Sequence, residues 1–68
     1  MMDLKPYTVL YRDDPLSVPE GYFVQAEDSD HAEEQTLDAY PGADVLWIVE
    51  KHDYWLAIKA WVNYMEEV

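Results

Sequence analysis

Hydrophobic and polar positions alternate in two short runs near the start of the chain. The run at 6–12 is rich in β-branched and aromatic residues and carries apolar side chains on both of its faces. The run at 22–27 alternates in the same way, with one face partly wet. The segment 13–21 between them contains two prolines and ends in glycine, as loops do. The pattern predicts two strands joined by a long hairpin loop.

The spacing of apolar residues changes to a helical period after residue 28. Asp28, Ser29 and Asp30 can each cap the first backbone N–H groups of a helix, and which one does so stays open. Asp30 with Glu33 fits a capping box. Pro41-Gly42 ends the helix. The predicted buried stripe is made mostly of small residues: Ala32, Thr36, Ala39 and Tyr40.

The second half of the chain contains one more strand and one more helix. The continuous apolar run 45–49 is typical of a strand that is covered on most of both faces. Asp53 is the expected cap of a helix over 54–66. The inward stripe of this helix comprises Tyr54, Ala57, Ile58, Trp61 and Met65. Three apolar residues lie outside that stripe: Trp55, Leu56 and Val62.

The order strand, strand, helix, strand, helix predicts an α+β fold. A hairpin makes the first two strands antiparallel, and a helical crossover brings the third back beside the first. We expect a single domain over 1–68, a three-stranded antiparallel sheet of order 2-1-3, and both helices on one face of the sheet.

Charge narrows the choice of partner. Fifteen acidic and four basic residues give a formal net charge of −11, which repels nucleic acid phosphates and anionic membrane surfaces. The expected partner is therefore a basic protein surface, not nucleic acid or membrane. The chain has no cysteine, and it shows neither a secretory signal nor an apolar run of about 18 residues. These features predict a cytoplasmic protein.

The acidic residues concentrate in and before the first helix. They are Glu27, Asp28, Asp30, Glu33, Glu34 and Asp38. Asp30, Glu34 and Asp38 recur every four residues, about 6 Å apart along the helix axis, which is similar to the phosphate spacing of a nucleic acid strand. Asp13 and Asp14 would extend this surface if their loop folds toward the helix. The cluster is either a solvated face that maintains solubility or a docking surface that imitates DNA.

Trp55, Leu56 and Val62 form a second candidate surface. Tryptophan is enriched at the centres of protein interfaces, so this patch could pair two copies of the chain or contact a partner. The alternative is that Trp55 packs against the long loop through Leu16 and Val18.

Catalysis is not predicted. Ser17 and Ser29 have local backbone roles, and His52 lies in a turn. The oxygen-rich group around His31 lacks the glycine and the closing glutamate of a calcium loop. We therefore expect no catalytic residue, metal or cofactor.

Four segments carry a resemblance to other proteins. They are Tyr7-Thr8-Val9-Leu10-Tyr11-Arg12, Ala26-Glu27-Asp28-Ser29-Asp30-His31-Ala32-Glu33-Glu34-Gln35, Ala39-Tyr40-Pro41-Gly42 and Val45-Leu46-Trp47-Ile48-Val49-Glu50. Most of the chain thus resembles small acidic proteins of bacterial phages and mobile elements, a setting that includes anti-CRISPR proteins and other DNA mimics. The resemblance implies an inhibitor whose acidic face blocks the DNA-binding groove of a CRISPR surveillance complex. The other hypothesis is a structural or regulatory module, such as a homodimer or adaptor, that works through Trp55, Leu56 and Val62.

Overall fold

The computed structural model describes residues 3–66, which form three strands and two helices. In chain order the elements are β1 (Lys5–Arg12), β2 (Glu20–Ala26), α1 (Ser29–Ala39), β3 (Asp44–Val49) and α2 (Tyr54–Glu66). This is the predicted order, with each boundary within about two residues of its expected place. Within 3–66, neither helix has the length and hydropathy required to cross a membrane.

The sheet has the predicted topology. Its order is β2-β1-β3, and β1 is antiparallel to both neighbours. Val9 of β1 lies opposite Tyr22 on one side and Ile48 on the other. Between Leu10 and Tyr11 the pairing with β3 shifts by one residue, which leaves Leu46 as a β-bulge. The α+β class, the antiparallel pairing and the strand order are confirmed.

The central strand β1 is buried on both faces from Tyr7 to Tyr11. On one face, Val9 belongs to the same core cluster as Ala32 of α1, and Tyr11 stacks on Tyr40 with ring centroids 4.8 Å apart. On the other face, the Arg12 guanidinium lies 5.7 Å from the centre of the Trp61 ring of α2. Side chains of a strand alternate between the faces of a sheet, so the two helices cover different faces.

The prediction that both helices share one face is therefore wrong. Helices α1 and α2 lie on opposite faces of the sheet and, within residues 3–66, make no contact with each other. The physical reason lies in β1, where Val9 points to one face and Leu10 to the other, and both are fully buried. Each face of this strand needs its own apolar cover. We refer below to the α1 side and the α2 side of the sheet.

Small and aromatic residues close the α1 side. Ala32 is fully buried, and its small side chain lets the helix approach the sheet closely. Where α1 ends, the N–H of Tyr40 donates to the carbonyl of Thr36, and the Tyr40 ring packs edge-on against Tyr22. Gly42 then adopts a φ of +87°, a conformation that glycine takes without strain and that reverses the chain toward β3.

A buried threonine fixes the start of α2. The hydroxyl of Thr8 donates to the carbonyl of Lys51 and accepts from the N–H of Asp53 at 2.9 Å. Asp53 caps the helix as predicted, because its carboxylate accepts from the N–H of Leu56 at 3.1 Å. The Tyr54 ring then lies against Gly21, where a Cβ atom would come within 2.7 Å of its Cδ1. Backbone and side-chain contacts thus place α2 across the sheet.

Candidate protein-binding surfaces

Asp28 is the residue that caps the start of α1, which resolves the choice among the three capping candidates. The Asp28 carboxylate accepts from the N–H of His31 at 2.8 Å, and the Nδ1 atom of His31 accepts from the N–H of Glu27 at 3.2 Å. This reciprocal pair satisfies two backbone donors and replaces the predicted box of Asp30 with Glu33. One oxygen of Asp28 is therefore engaged in holding the helix.

The acidic stripe of α1, defined as Asp30, Glu34 and Asp38, faces away from the sheet. Ala32 and Thr36 are the buried residues of this helix, and Glu34 lies two positions from each, about 200° around the helix axis. Asp30 lies one helical turn before Glu34, and Asp38 lies one turn after it. All three side chains are exposed, as predicted from their spacing.

Among residues 3–66, no basic side chain forms a salt bridge with the acidic stripe. The salt bridges formed within residues 3–66 join Lys5 to Glu50 at 3.9 Å and Arg12 to Asp44 at 3.7 Å, and neither involves α1. Neighbouring carboxylates four residues apart repel by about 0.2–0.5 kcal/mol per pair. The helix is stable because of its contacts with the sheet, and the stripe slightly opposes that stability.

Glu27 and Glu33 flank the stripe at different depths. Glu27 is exposed in the connection that precedes α1, whereas Glu33 is half-buried. Asp28 at the cap and Asp30 in the first turn keep the start of the helix acidic, where negative charge interacts favourably with the helix dipole. The structure therefore brings the six predicted acids onto one helix and its approach, with Asp30, Glu34 and Asp38 the most outward of them.

Asp13 and Asp14 do not extend the start of this acidic region. Because Lys5 pairs with Ala26, α1 begins at the Lys5 end of the sheet, whereas Asp13 follows Arg12 at the opposite end. The eight residues of β1 separate these ends by about 23 Å. Asp13 and Asp14 lie instead at the end where α1 finishes.

Asp14 shapes its own loop. Its carboxylate accepts from the N–H of Leu16 at 2.8 Å and from the hydroxyl of Ser17 at 3.0 Å. These hydrogen bonds, that of Leu16 foremost, lower the pKa of Asp14 below its ordinary value. The residue that was predicted to contact a partner has a structural role, in a turn of the hairpin loop.

The second candidate surface, formed by Trp55, Leu56 and Val62, is exposed to solvent. Trp55 is 69% exposed, and the loop residues Leu16 and Val18 are 97% and 77% exposed. The interpretation that Trp55 packs against the loop through these two residues is therefore wrong. The ring of Trp55 contacts its neighbour Tyr54, whose hydroxyl donates to the carbonyl of Pro19 at 2.6 Å. The loop is attached to α2 through Tyr54 and leaves Trp55 uncovered.

Trp55, Leu56 and Val62 do not form one continuous patch. Trp55 and Val62 are seven residues apart and lie within about 20° of each other around the axis of α2. Leu56 lies about 100° from Trp55, and the polar ridge of Lys59 and Asn63 runs between them. All three residues are exposed, but they belong to two flanks of the helix.

Two residues outside the predicted patch also expose apolar surface on the α2 side. Phe23 of β2 is 51% exposed and stacks on the His52 ring at 5.2 Å, and Met65, which was assigned to the inward stripe, is 53% exposed. The alternation of β2 had given Phe23 to its partly wet face, so its exposure was visible in the pattern. The pattern did not show that Phe23 lies on the same side of the sheet as α2.

The two sides of the sheet differ in charge. Residues 27–38 contain six acidic and no basic residues, a formal charge of −6. Residues 51–66 contain two lysines and two acidic residues, a formal charge of 0. The segment that contains α1 is thus anionic, and the segment that contains α2 is neutral and rich in apolar side chains.

Residues 3–66 enclose no cavity, and they bring together no group of three side chains that could hold a metal ion. Both candidate sites are open surfaces, suited to contact with another macromolecule. Comparisons with protein-family models, with curated protein sequences and with solved structures found no match to this chain.

Proposed function

We propose that this protein is a non-enzymatic inhibitor that occupies the basic, nucleic-acid-binding surface of another protein. The observation that carries the proposal is the acidic stripe of α1. Asp30, Glu34 and Asp38 are exposed, point away from the sheet and have no Lys or Arg within salt-bridge distance among residues 3–66. A row of unpaired carboxylates is free to bind lysine and arginine side chains of a partner.

Charge would act in two ways in such a complex. The field of a chain with net charge −11 attracts a basic surface over a distance and accelerates the encounter at low salt. At contact, carboxylates about 6 Å apart replace successive phosphates of the nucleic acid. The partner would then be blocked sterically, without any chemical step.

The more specific form of this proposal is an anti-CRISPR protein. Its partner would be a CRISPR surveillance complex, whose positively charged channel holds nucleic acid through backbone contacts. The acidic stripe would enter where target DNA binds. Asp13 and Asp14 lie at the far end of the sheet from Asp28 and would contact such a partner only beyond the last turn of α1.

The first experiment is capture of a partner from a bacterial lysate with the purified protein as bait. It is run at low and at high salt, and with duplex DNA as competitor. Elution of a basic nucleic-acid-binding protein by either DNA or salt supports the proposal. Capture that resists both DNA and salt contradicts it, because a phosphate-mimicking contact must be screened and displaced.

Charge reversal localises the contact. Asp30→Lys with Glu34→Lys should weaken binding of the captured partner by at least about thirtyfold, since the two lost charge contacts are worth roughly 1–3 kcal/mol each. The matched control is Asp3→Lys with Glu66→Lys, which changes the net charge equally at exposed positions outside α1. Equal losses in both variants would show that only total charge matters and would refute the α1 contact.

The apolar surface of α2 supports a second candidate function, a structural or regulatory interaction module. The observation in its favour is the 69% exposure of Trp55, an unusual state for a residue that is mostly buried in folded proteins. Such a module would bind its partner in a salt-tolerant way and lose binding on Trp55→Ala or Val62→Asp. The two functions are therefore separated by the effect of salt and by the helix on which substitutions act.

A further inference from the structure

We infer that a second copy of the chain docks on the α2 side, along the flank formed by Trp55, Lys59, Val62 and Glu66. These four residues recur at intervals of four, three and four positions and share one stripe of the helix. We call this stripe the Trp55 flank. The inference does not rest on the proposed inhibitor function, because it concerns the opposite side of the sheet from the acidic stripe.

Exposed apolar area is the first argument. Trp55, Val62 and Met65 are 69%, 39% and 53% exposed, and Phe23 on the same side of the sheet is 51% exposed. With about 150–250 Å² for each fully exposed large side chain, these four residues present roughly 400 Å² of apolar surface. Apolar areas of this size on monomers are often interaction sites. Trp55 and Val62 lie on the Trp55 flank itself, whereas Phe23 and Met65 share its side of the sheet.

The distribution of charge selects a second copy as the occupant. Two molecules with a net charge of −11 repel each other, and the repulsion is weakest where residues 51–66 present a formal charge of 0. The six acids of residues 27–38 lie across the sheet and would point outward from such a pair. The α2 side is therefore where two copies can approach with least electrostatic cost.

The side-chain sizes along the Trp55 flank fit a two-fold contact. A two-fold axis midway between Trp55 and Val62 sets two α2 helices antiparallel and places each tryptophan against the valine of the other copy. A bulky ring then meets a small branched side chain at both ends of the contact, as an isologous interface requires. The same register brings Lys59 of both copies close to the axis, and added salt screens the repulsion between these two charges.

The small area predicts a weak dimer with a characteristic response to salt. Even if all four apolar side chains are buried, roughly 400 Å² per copy is about half of a standard interface, so we expect dissociation at about micromolar concentration or above. Added salt screens the repulsion between the two acidic molecules and leaves the apolar contact intact. Dimerisation should therefore strengthen with salt, whereas binding through the acidic stripe should weaken.

Sedimentation equilibrium of the purified protein tests the inference at concentrations up to about 1 mM, in low and in high salt. The expected result is a reversible dimer that tightens several-fold in high salt. Trp55→Ala and Val62→Asp should each weaken dimerisation at least about tenfold while circular dichroism shows a folded chain. Leu56→Ala, on the other flank of α2, is the matched control and should leave the dimer unchanged.

A cross-link tests the orientation. The chain has no cysteine, and in the inferred register Lys59 lies beside the two-fold axis. Under mild oxidation, Lys59→Cys should form a disulfide-linked dimer readily. Asn63→Cys is equally exposed but about four residues further from the axis, so it should cross-link much less.

Two outcomes would overturn the inference. A protein that stays monomeric at about 1 mM in high salt has no self-association through this flank, and the apolar surface would then belong to a different partner. A dimer that survives both Trp55→Ala and Val62→Asp would be held by another surface. Neither outcome affects the acidic stripe, whose test is the loss of partner binding in the Asp30 and Glu34 variants.

Discussion

Each side of the sheet is covered by one helix, but the two helices differ in how many of their residues are buried and in the side chains that they expose. On the α1 side, Ala32 and Thr36 of the helix are fully buried, and the outer surface of the helix carries charge. On the α2 side, only Ala57 of the described helix is buried, and large apolar side chains such as Trp55 remain in contact with water. The core on the α1 side is covered by α1, whose outer surface is acidic and repels other anionic molecules. The α2 side is left incomplete, which is the state expected of a surface that another molecule covers.

The strongest test of this comparison is removal of the buried residue that supports each side. Leu10 is fully buried under α2 and Val9 is fully buried under α1. Leu10→Ala should lower the free energy of unfolding by about 2–5 kcal/mol. Val9→Ala, which removes a smaller volume, should cost about 1.5–3 kcal/mol. Urea denaturation measures both values.

All three tryptophans lie on the α2 side, so their fluorescence reports that side specifically. Trp55 and Trp61 belong to α2, and Trp47 of β3 contacts Tyr64 of that helix. In the wild type, fluorescence and circular dichroism transitions should coincide, because β1 is shared by both sides. An earlier fluorescence transition in Val9→Ala than in Leu10→Ala would contradict the assignment of these residues to the two sides.

The next largest effect on stability is a difference between substitutions of two buried threonines, Thr8 and Thr36. The Thr8 hydroxyl bridges Lys51 and Asp53 at the start of α2, whereas the Thr36 hydroxyl donates to the carbonyl of Ala32 within α1. Thr8→Val leaves two backbone groups without their partner and should cost about 1–3 kcal/mol. Thr36→Val removes a bond that is local to the helix and should cost less than about 1 kcal/mol. Equal costs, measured by thermal or urea unfolding, would show that Thr8 does not anchor α2.

Alkaline pH should destabilise the α1 side. Burial foremost, with Tyr40 and Glu20 next, raises the pKa of Tyr11, and burial with Glu50 and Asp28 raises that of Tyr7. A folded-state pKa above the unfolded value of about 10 gives stability that is complete below that pH and is lost as pH rises through the folded pKa. The urea midpoint should therefore fall above about pH 10.

The control for this pH effect is Tyr7→Phe, which removes one of the two shifted phenols. Its urea midpoint should fall less steeply with pH than that of the wild type over the same interval. The Tyr7 hydroxyl donates to Glu50 at 3.4 Å, a long hydrogen bond whose loss at neutral pH should cost little. An unchanged slope would assign the alkaline transition to Tyr11 alone or to other groups.

The smallest predicted effect concerns the acidic stripe. Glu34→Gln relieves repulsion with both Asp30 and Asp38 and should raise the free energy of unfolding by about 0.5 kcal/mol at low salt, less at high salt. Glu66→Gln in α2, which has no acidic residue three or four positions before it, should change stability less. If Glu34→Gln also weakens partner binding, the stripe is retained for function at a cost in stability. A destabilised Glu34→Gln protein would show that the carboxylate has a structural partner.

Sequence patterns predicted most of the fold because each element has a distinct period. The strand order followed from the hairpin and the crossover, and the capping of α2 from a single residue, Asp53. The placement of the helices failed because an alternating strand shows that two faces are apolar but not which helix covers each. Buried Leu10, on the face opposite Val9, was the feature that required a second layer.

The candidate surfaces were predictable to different degrees. Spacing by four residues is enough to place Asp30, Glu34 and Asp38 on one exposed stripe, so the geometry of the stripe was predicted correctly, and its role in binding stays a prediction. The position of Asp13 and Asp14 depends on which end of the sheet their loop occupies, and that is a property of the pairing between strands. The openness of Trp55 depends on the course of the hairpin loop, which no local pattern specifies.

The separation of α1 from α2 by the sheet also has a consequence for how the molecule opens. Neither helix packs on the other within residues 3–66, so either one can detach from its face while the opposite core, built on the other side of β1, stays in place. Amide protons of β1, covered by two strands and two helices, should exchange with solvent last, and those of α2 should exchange before those of α1. Within one cooperative fold, α1 and α2 would thus open locally and independently of each other. Occupation of the Trp55 flank would slow amide exchange in α2 and leave that of α1 unchanged.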